Sequence, residues 1–117
     1  VLVVDDDAGV RGVCTTLLHV LGYRAHEVHS GEQALETLSR EDKNVRLVLL
    51  DLQMPEMDGE RVLHELREKH PSLRVLLMSG RARGDLTHYL EAGASAVLKK
   101  PFGLSELDSS VENALGA

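Results

Sequence analysis

Short apolar runs alternate five times with stretches in which apolar residues recur every three or four positions. Residues 1–4 (VLVV) are uninterrupted and mostly β-branched, as suits a buried strand. Val10, Val13, Cys14, Leu17, Leu18 and Leu21 then repeat at helical spacing, and Gly22 supplies the stop. Residues 24–29 (RAHEVH) read as a weak, polar strand. Ser30 is placed to cap a helix carrying Ala34, Leu35 and Leu38. Residues 45–51 (VRLVLLD) predict a strong strand. Asp58 then predicts a cap for a helix bearing Val62, Leu63 and Leu66, with Pro71 beyond its end. Residues 73–79 (LRVLLMS) predict a fourth strand, and a shorter helix follows from about residue 85 through Leu86, Tyr89 and Leu90 to Gly93. Residues 95–100 (SAVLKK) predict the fifth strand. Leu104, Leu107, Val111, Ala114 and Leu115 mark the last helix, with Ser105 near its start.

Five βα units joined by short connections predict an α/β domain over residues 1–117, a parallel sheet with helices on both faces. The continuous apolar strands belong at the centre and the polar second strand at an edge. In open sheets of this kind ligands bind beyond the carboxyl ends of the strands. The residues at those ends are Asp5 and Asp6, Asp51, Ser79 followed by Gly80, and Lys100 followed by Pro101. Each has a plain reading. Asp6 and Asp7 favour the positive end of the first helix, and for Asp7 that reading is preferred. Ser79 is a candidate for bonding its own backbone, and Lys100 for a solvated edge charge. Asp51 is harder to explain this way, because it ends the most apolar strand in the chain.

Composition narrows the field. With 43% hydrophobic residues the 117-residue chain can bury a core, and 13 basic against 19 acidic residues leave a net charge of −6. That balance argues against direct nucleic-acid binding, which needs a basic footprint. No apolar run approaches the roughly 18–20 residues of a membrane span, and no signal peptide is recognisable. The single cysteine, Cys14, excludes an internal disulfide and fits a reducing compartment; its apolar neighbours suggest core packing. The chain begins at Val1 directly on a strand, so it is expected to be a piece of a longer polypeptide. His19, His26, His29, His64, His70 and His88 show no metal-ligand spacing and are expected at or near the surface.

Four segments, "VLVVDDD", "LVLLDLQMPEMDG", "VLLMSG" and "AVLKKPF", resemble in order and interval the signature segments of the response-regulator receiver domain of two-component signalling. The resemblance covers essentially the whole chain. It implies a flavodoxin-like, doubly wound, five-stranded sheet of order 2-1-3-4-5. It also implies Mg²⁺-dependent transfer of a phosphoryl group to Asp51 from the phosphohistidine of a histidine kinase or histidine phosphotransfer protein. By the same resemblance Asp6 and Asp51 ligate Mg²⁺ directly, Asp5 acts through water and Gln53 contributes its backbone carbonyl. Ser79 and Lys100 take phosphoryl oxygens, Gly80 keeps the approach open, and Gln53 and Arg81 influence the lifetime of the product. The domain catalyses its own phosphorylation and slow dephosphorylation, with no turnover of an external substrate. The Lys100–Pro101 bond is expected to be cis, and Tyr89 and Phe102 to pack near the output face.

Two positions depart from the family pattern. Val97 stands three residues before Lys100, where the family has a switching aromatic, and Ala96 stands where winged-helix regulators carry an acidic dimer contact. The last helix region holds Glu106, Asp108 and Glu112 but no Lys or Arg. The winged-helix type of dimer is therefore not expected. "VLLMSGR" with "GASAVLKKPF" is closer to receivers attached to hybrid sensor histidine kinases. A cytoplasmic location follows, including the cytoplasmic part of a larger membrane-bound sensor kinase. The alternative reading is a pseudo-receiver, a constitutive protein-interaction module. A flavodoxin-type cofactor binder is disfavoured by acids where its phosphate loop belongs and by 3% aromatics. Nothing points to a stand-alone metal phosphatase.

Overall fold

The computed structural model describes residues 1–41, 45–54, 59–80 and 87–116. Strands and helices alternate: β1 (Leu2–Val4), α1 (Ala8–Val20), β2 (His26–Val28), α2 (Gly31–Glu41), β3 (Leu47–Asp51), α3 (Gly59–Lys69), β4 (Arg74–Ser79), α4 (Thr87–Glu91), β5 (Ala96–Lys99) and α5 (Leu104–Ala114). The expected caps at Asp58 and near residue 85, with Leu86 and Arg81, lie outside the described residues. The strands form one parallel sheet in the order β2-β1-β3-β4-β5.

Successive side chains on a strand point to opposite faces, so an uninterrupted apolar strand feeds two cores. Leu2, Val4, Val48, Leu50, Val75 and Leu77 pack with Leu38 of α2 and Val62, Leu63 and Leu66 of α3. Val3, Leu47, Leu49, Leu76, Met78 and Leu98 pack with Cys14 and Leu18 of α1 and Leu107 and Val111 of α5. The polar segment 24–29 contributes only three residues of strand, with His26 and Glu27 exposed, because an edge strand pairs on one side with the three-residue β1. The fifth strand is also shorter than residues 95–100 suggest, which leaves Lys100 one position beyond its end.

Helix boundaries follow the local chemistry. Asp7 is the N-cap of α1, and its carboxylate accepts from the N–H groups of Gly9 and Val10 at 2.8 and 3.2 Å. Ser30 Oγ accepts from the N–H of Gln33 at 3.1 Å and opens α2 as expected. Past the end of α1, Gly22 adopts φ +92°, and the N–H groups of Gly22 and Tyr23 turn back to the carbonyls of His19 and Leu18. Lys100–Pro101 is cis. All six histidines are exposed or half-buried. Tyr89 and Val97 pack against one core and Phe102 against the other. No described helix is long and apolar enough to cross a membrane.

Cys14 is buried, with Sγ 3.9 Å from Met78 Sδ. Burial, reinforced by the charge of Asp5 and opposed by that of Lys100, pushes its thiol up to about 11. The fold keeps this proton to higher pH than the unfolded chain does. The associated stability is full below the ordinary thiol value of about 8.5 and is lost as pH rises through about 11. Denaturant titrations of wild type and Cys14→Ala should therefore show a constant stability difference up to about pH 8, narrowing above it. A difference that holds to pH 11 would contradict this.

Candidate functional site

The carboxyl ends of β1, β3, β4 and β5 meet at one rim. β1 and β3 are neighbours, in register Val4 to Leu50, which brings Asp5 beside Asp51. Asp51 pairs in register with Met78, so Ser79 stands one position further along β4. The N–H of Lys100 donates to the carbonyl of Ser79 at 2.8 Å, carrying the lysine to the same rim. The sheet order alone joins residues as distant in the chain as Asp5 and Lys100.

The three adjacent acids have three different roles. Asp5 is fully buried, Asp6 is exposed, and Asp7 is the helix cap. Asp5 Oδ1 accepts from the N–H of Asp7 at 2.9 Å and Oδ2 from Lys100 Nζ at 2.8 Å. Asp51, buried to 3% exposure, accepts from the N–H of Gln53 at 3.1 Å and lies 3.3 Å from Lys100 Nζ. Ser79, at the end of the neighbouring strand, is also buried. Oxygens of Asp5, Asp6 and Asp51 all lie within 4.8 Å of one another, and among the described residues this is the one such group of metal-ligating side chains.

Lys100 is therefore engaged with two carboxylates rather than left as a solvated edge charge. Burial alone would lower its pKa, but its hydrogen bond to Asp5 and the charges of Asp51 and Asp5 outweigh that and raise it. Burial first, and the charge of Asp5 second among the raising causes, push the Asp51 carboxyl up. The Gln53 N–H and Lys100 oppose them without prevailing. Among the described residues, one ammonium is paired with two of the three clustered carboxylates. Such a donor set fits a small hard dication: the ligands are oxygens, two are held in place by burial and hydrogen bonds, and the third reaches solvent. Asp5, Asp6 and Asp51 could hold Mg²⁺, and no softer nitrogen or sulfur donor joins them among the described residues.

Two contributions escape sequence reasoning. Gln53 Oε1 accepts from the N–H of Gly80 at 2.9 Å, so its side chain ties the loop after β3 to the end of β4. Arg11 Nη1 donates to the backbone carbonyl of Asp5 at 2.7 Å. The signal for Arg11 was present but faint: it is the single Arg or Lys in a helix otherwise read for its apolar face. Gly59 is also constrained, since a Cβ there would come within 3.0 Å of Leu52 Cα, just past the end of β3.

The raised Asp51 pKa has a sign. Its ionised form is disfavoured in the fold, so its contribution is most favourable when protonated and is lost as pH rises from the ordinary carboxylate range, about 3.9, through the raised value. In chelator, Asp51→Asn should be the more stable protein at neutral pH. Its advantage should shrink steadily on acidification, as measured by denaturant midpoints from pH 8 to pH 4. A pH-independent difference would show that Asp51 is not under this strain.

Comparison with known proteins fits the same geometry. The model of the response regulator receiver domain matches residues 1–112. The chain is 39% identical over 116 residues to the sensor kinase CckA of Brucella abortus (strain 2308), covering 98% of this chain and 12% of that protein. It is 36% identical over 115 residues to a probable transcriptional regulator ycf27 of Porphyridium aerugineum, covering 98% and 47%. It thus spans less than half the length of these curated relatives. A crystal structure of a response regulator receiver domain protein from Clostridium thermocellum superposes with a TM-score of 0.88 at 26% identity, covering 97% of this chain and 91% of that one. With its sheet order, its rim and this match along nearly its whole length, the chain belongs to the response regulator receiver domain family.

Proposed function

We propose that this domain accepts a phosphoryl group on Asp51 from a phosphohistidine of a histidine kinase or histidine phosphotransfer protein, and so switches or relays a two-component signal. The observation that carries this reading is a buried carboxylate at the end of the central strand, with an ammonium at 3.3 Å and two further carboxylates within ligand distance. In the transfer the P–N bond of the donor breaks as an O–P bond forms at an Asp51 oxygen. The imidazole leaves with a proton from solvent. No general base is required, because Asp51 attacks as its anion. Asp5, Asp6 and Asp51, with the Gln53 carbonyl, would hold Mg²⁺. When bound, the ion supplies positive charge against the negative charge of the transferring group. Lys100, already at the rim, pairs with one phosphoryl oxygen, and Ser79 donates to another.

The partner must cover this rim to deliver its phosphohistidine. Beside Lys100, residues Val10, Val13, Pro101 and Phe102 line an apolar hollow of about 420 Å³, with Val13 59% exposed. We read that flank as part of the surface the donor domain covers. Val97 has no ring to rotate, and the relative CckA is named a sensor kinase; both favour a phosphorelay receiver in a hybrid-kinase setting. The reading puts the domain in the cytoplasm, alone or as the cytoplasmic part of a membrane-bound sensor kinase. It assigns no direct nucleic-acid contact to a domain of net charge −6. No observation favours the pseudo-receiver.

Incubation with Mg²⁺ and acetyl phosphate should add one phosphoryl group, mapped by mass spectrometry to Asp51, and Asp51→Asn should abolish it. Undiminished labelling of the variant would sink the assignment. A second measurement isolates the metal. Asp6→Asn removes one charge from the cluster, so it should melt above wild type in chelator yet gain little from Mg²⁺. Wild type should gain by linkage about 1.4 kcal/mol at tenfold Kd, a rise of several degrees at roughly 4–8 °C per kcal/mol. Equal Mg²⁺ shifts in the two proteins would mean that the acids do not form the site.

A further inference from the structure

Arg11 lies between the edge strand and the turn that carries Asp5 and Asp6. Its Nη1 donates to the Asp5 carbonyl at 2.7 Å, its Nε lies 3.4 Å from Glu27 Oε1 on β2, and its side chain is only 17% exposed. The other backbone group of Asp5 is also held, its N–H donating to the carbonyl of Val28 at 3.3 Å. Both backbone groups of Asp5 are thus tied to separate elements. The carbonyl that Arg11 grips belongs to the Asp5–Asp6 peptide. Fixing it fixes the plane from which Asp6 projects, and Asp6 is the one member of the carboxylate cluster that burial does not restrain.

We propose that Arg11, oriented by Glu27, is a positioning residue for the divalent cation: by clamping the Asp5–Asp6 peptide it presets the oxygens that the cluster offers. The inference rests on the reading of that cluster as a metal site. A purely electrostatic role has the opposite sign. Arg11 is a positive charge near three carboxylates, so removing it makes the cluster more negative and should tighten cation binding. A clamp works the other way. Without it the peptide must be ordered when the cation binds, and affinity falls.

Calorimetric titration with MgCl₂ separates the two, applied to wild type, R11Q, R11K and E27D, with melting curves in chelator to establish folding. R11Q should bind Mg²⁺ on the order of tenfold more weakly. R11K keeps the charge but loses the fork that reaches Asp5 and Glu27 together, so it should recover only part of the affinity. E27D also keeps its charge while withdrawing from Nε, and should weaken binding severalfold. Unchanged or tighter binding by R11Q overturns the proposal. If R11Q fails to fold, E27D decides: wild-type affinity there overturns it equally. Absence of Mg²⁺ binding by wild type would overturn the metal reading and this inference with it, an outcome distinct from wild type and variants binding alike.

Discussion

Everything at the rim depends on holding like charges together where water is scarce. Asp5 and Asp51 are buried side by side, and burying two carboxylates costs several kcal/mol apiece unless each is paired and hydrogen-bonded. Lys100 supplies the one nearby ammonium among the described residues, 2.8 Å from Asp5 and 3.3 Å from Asp51, and the N–H groups of Asp7 and Gln53 take further lone pairs. This is compensation in kind but not in number. Burial, with the charge of Asp5 behind it, therefore still raises the Asp51 pKa.

The sheet makes the arrangement affordable. Its central strands bury nearly every side chain on both faces, so the backbone around Asp5 and Asp51 is rigid and cannot relax to separate them. Three consecutive acids then divide by geometry. The first ends the strand and is buried, the second faces solvent beside the cluster, and the third turns into the cap of α1. A chain with a less apolar β1 or β3 would open the rim to water, screen the charges and dissolve the demand for a cation.

How much of this could be read beforehand depends on which physics decides each residue. The strands β1, β3 and β4 are legible because uninterrupted apolar runs have one reading in a doubly covered parallel sheet. Asp51 is legible because a carboxylate ending such a run has no solvated alternative, and Ser30, Gly22 and Asp7 follow from cap chemistry. The pairing of Lys100 with Asp5 was less legible: the ammonium was expected to await a phosphoryl oxygen, whereas the crowded carboxylates hold it. Arg11 was only faintly legible, and the contacts that it and the side chain of Gln53 make were not. Each bonds a backbone group of another element, and such contacts depend on rotamer and register rather than on residue type or spacing.

The same contacts constrain how a change at the rim can travel. The N–H of Lys100 donates to the carbonyl of Ser79, which joins the ends of β4 and β5 at the rim. The Lys100 ammonium beside that junction is shared between Asp5 and Asp51. One turn of the pleat away, Val97 is in register with Leu77 and packs, with Tyr89, into the core beneath α2 and α3. A valine there has no polar tip and no ring that could exchange a buried for an exposed position. It can only shift with the strand that carries it. The described contacts of Val97 therefore couple β5 to the packed core, not to a side chain that could rotate.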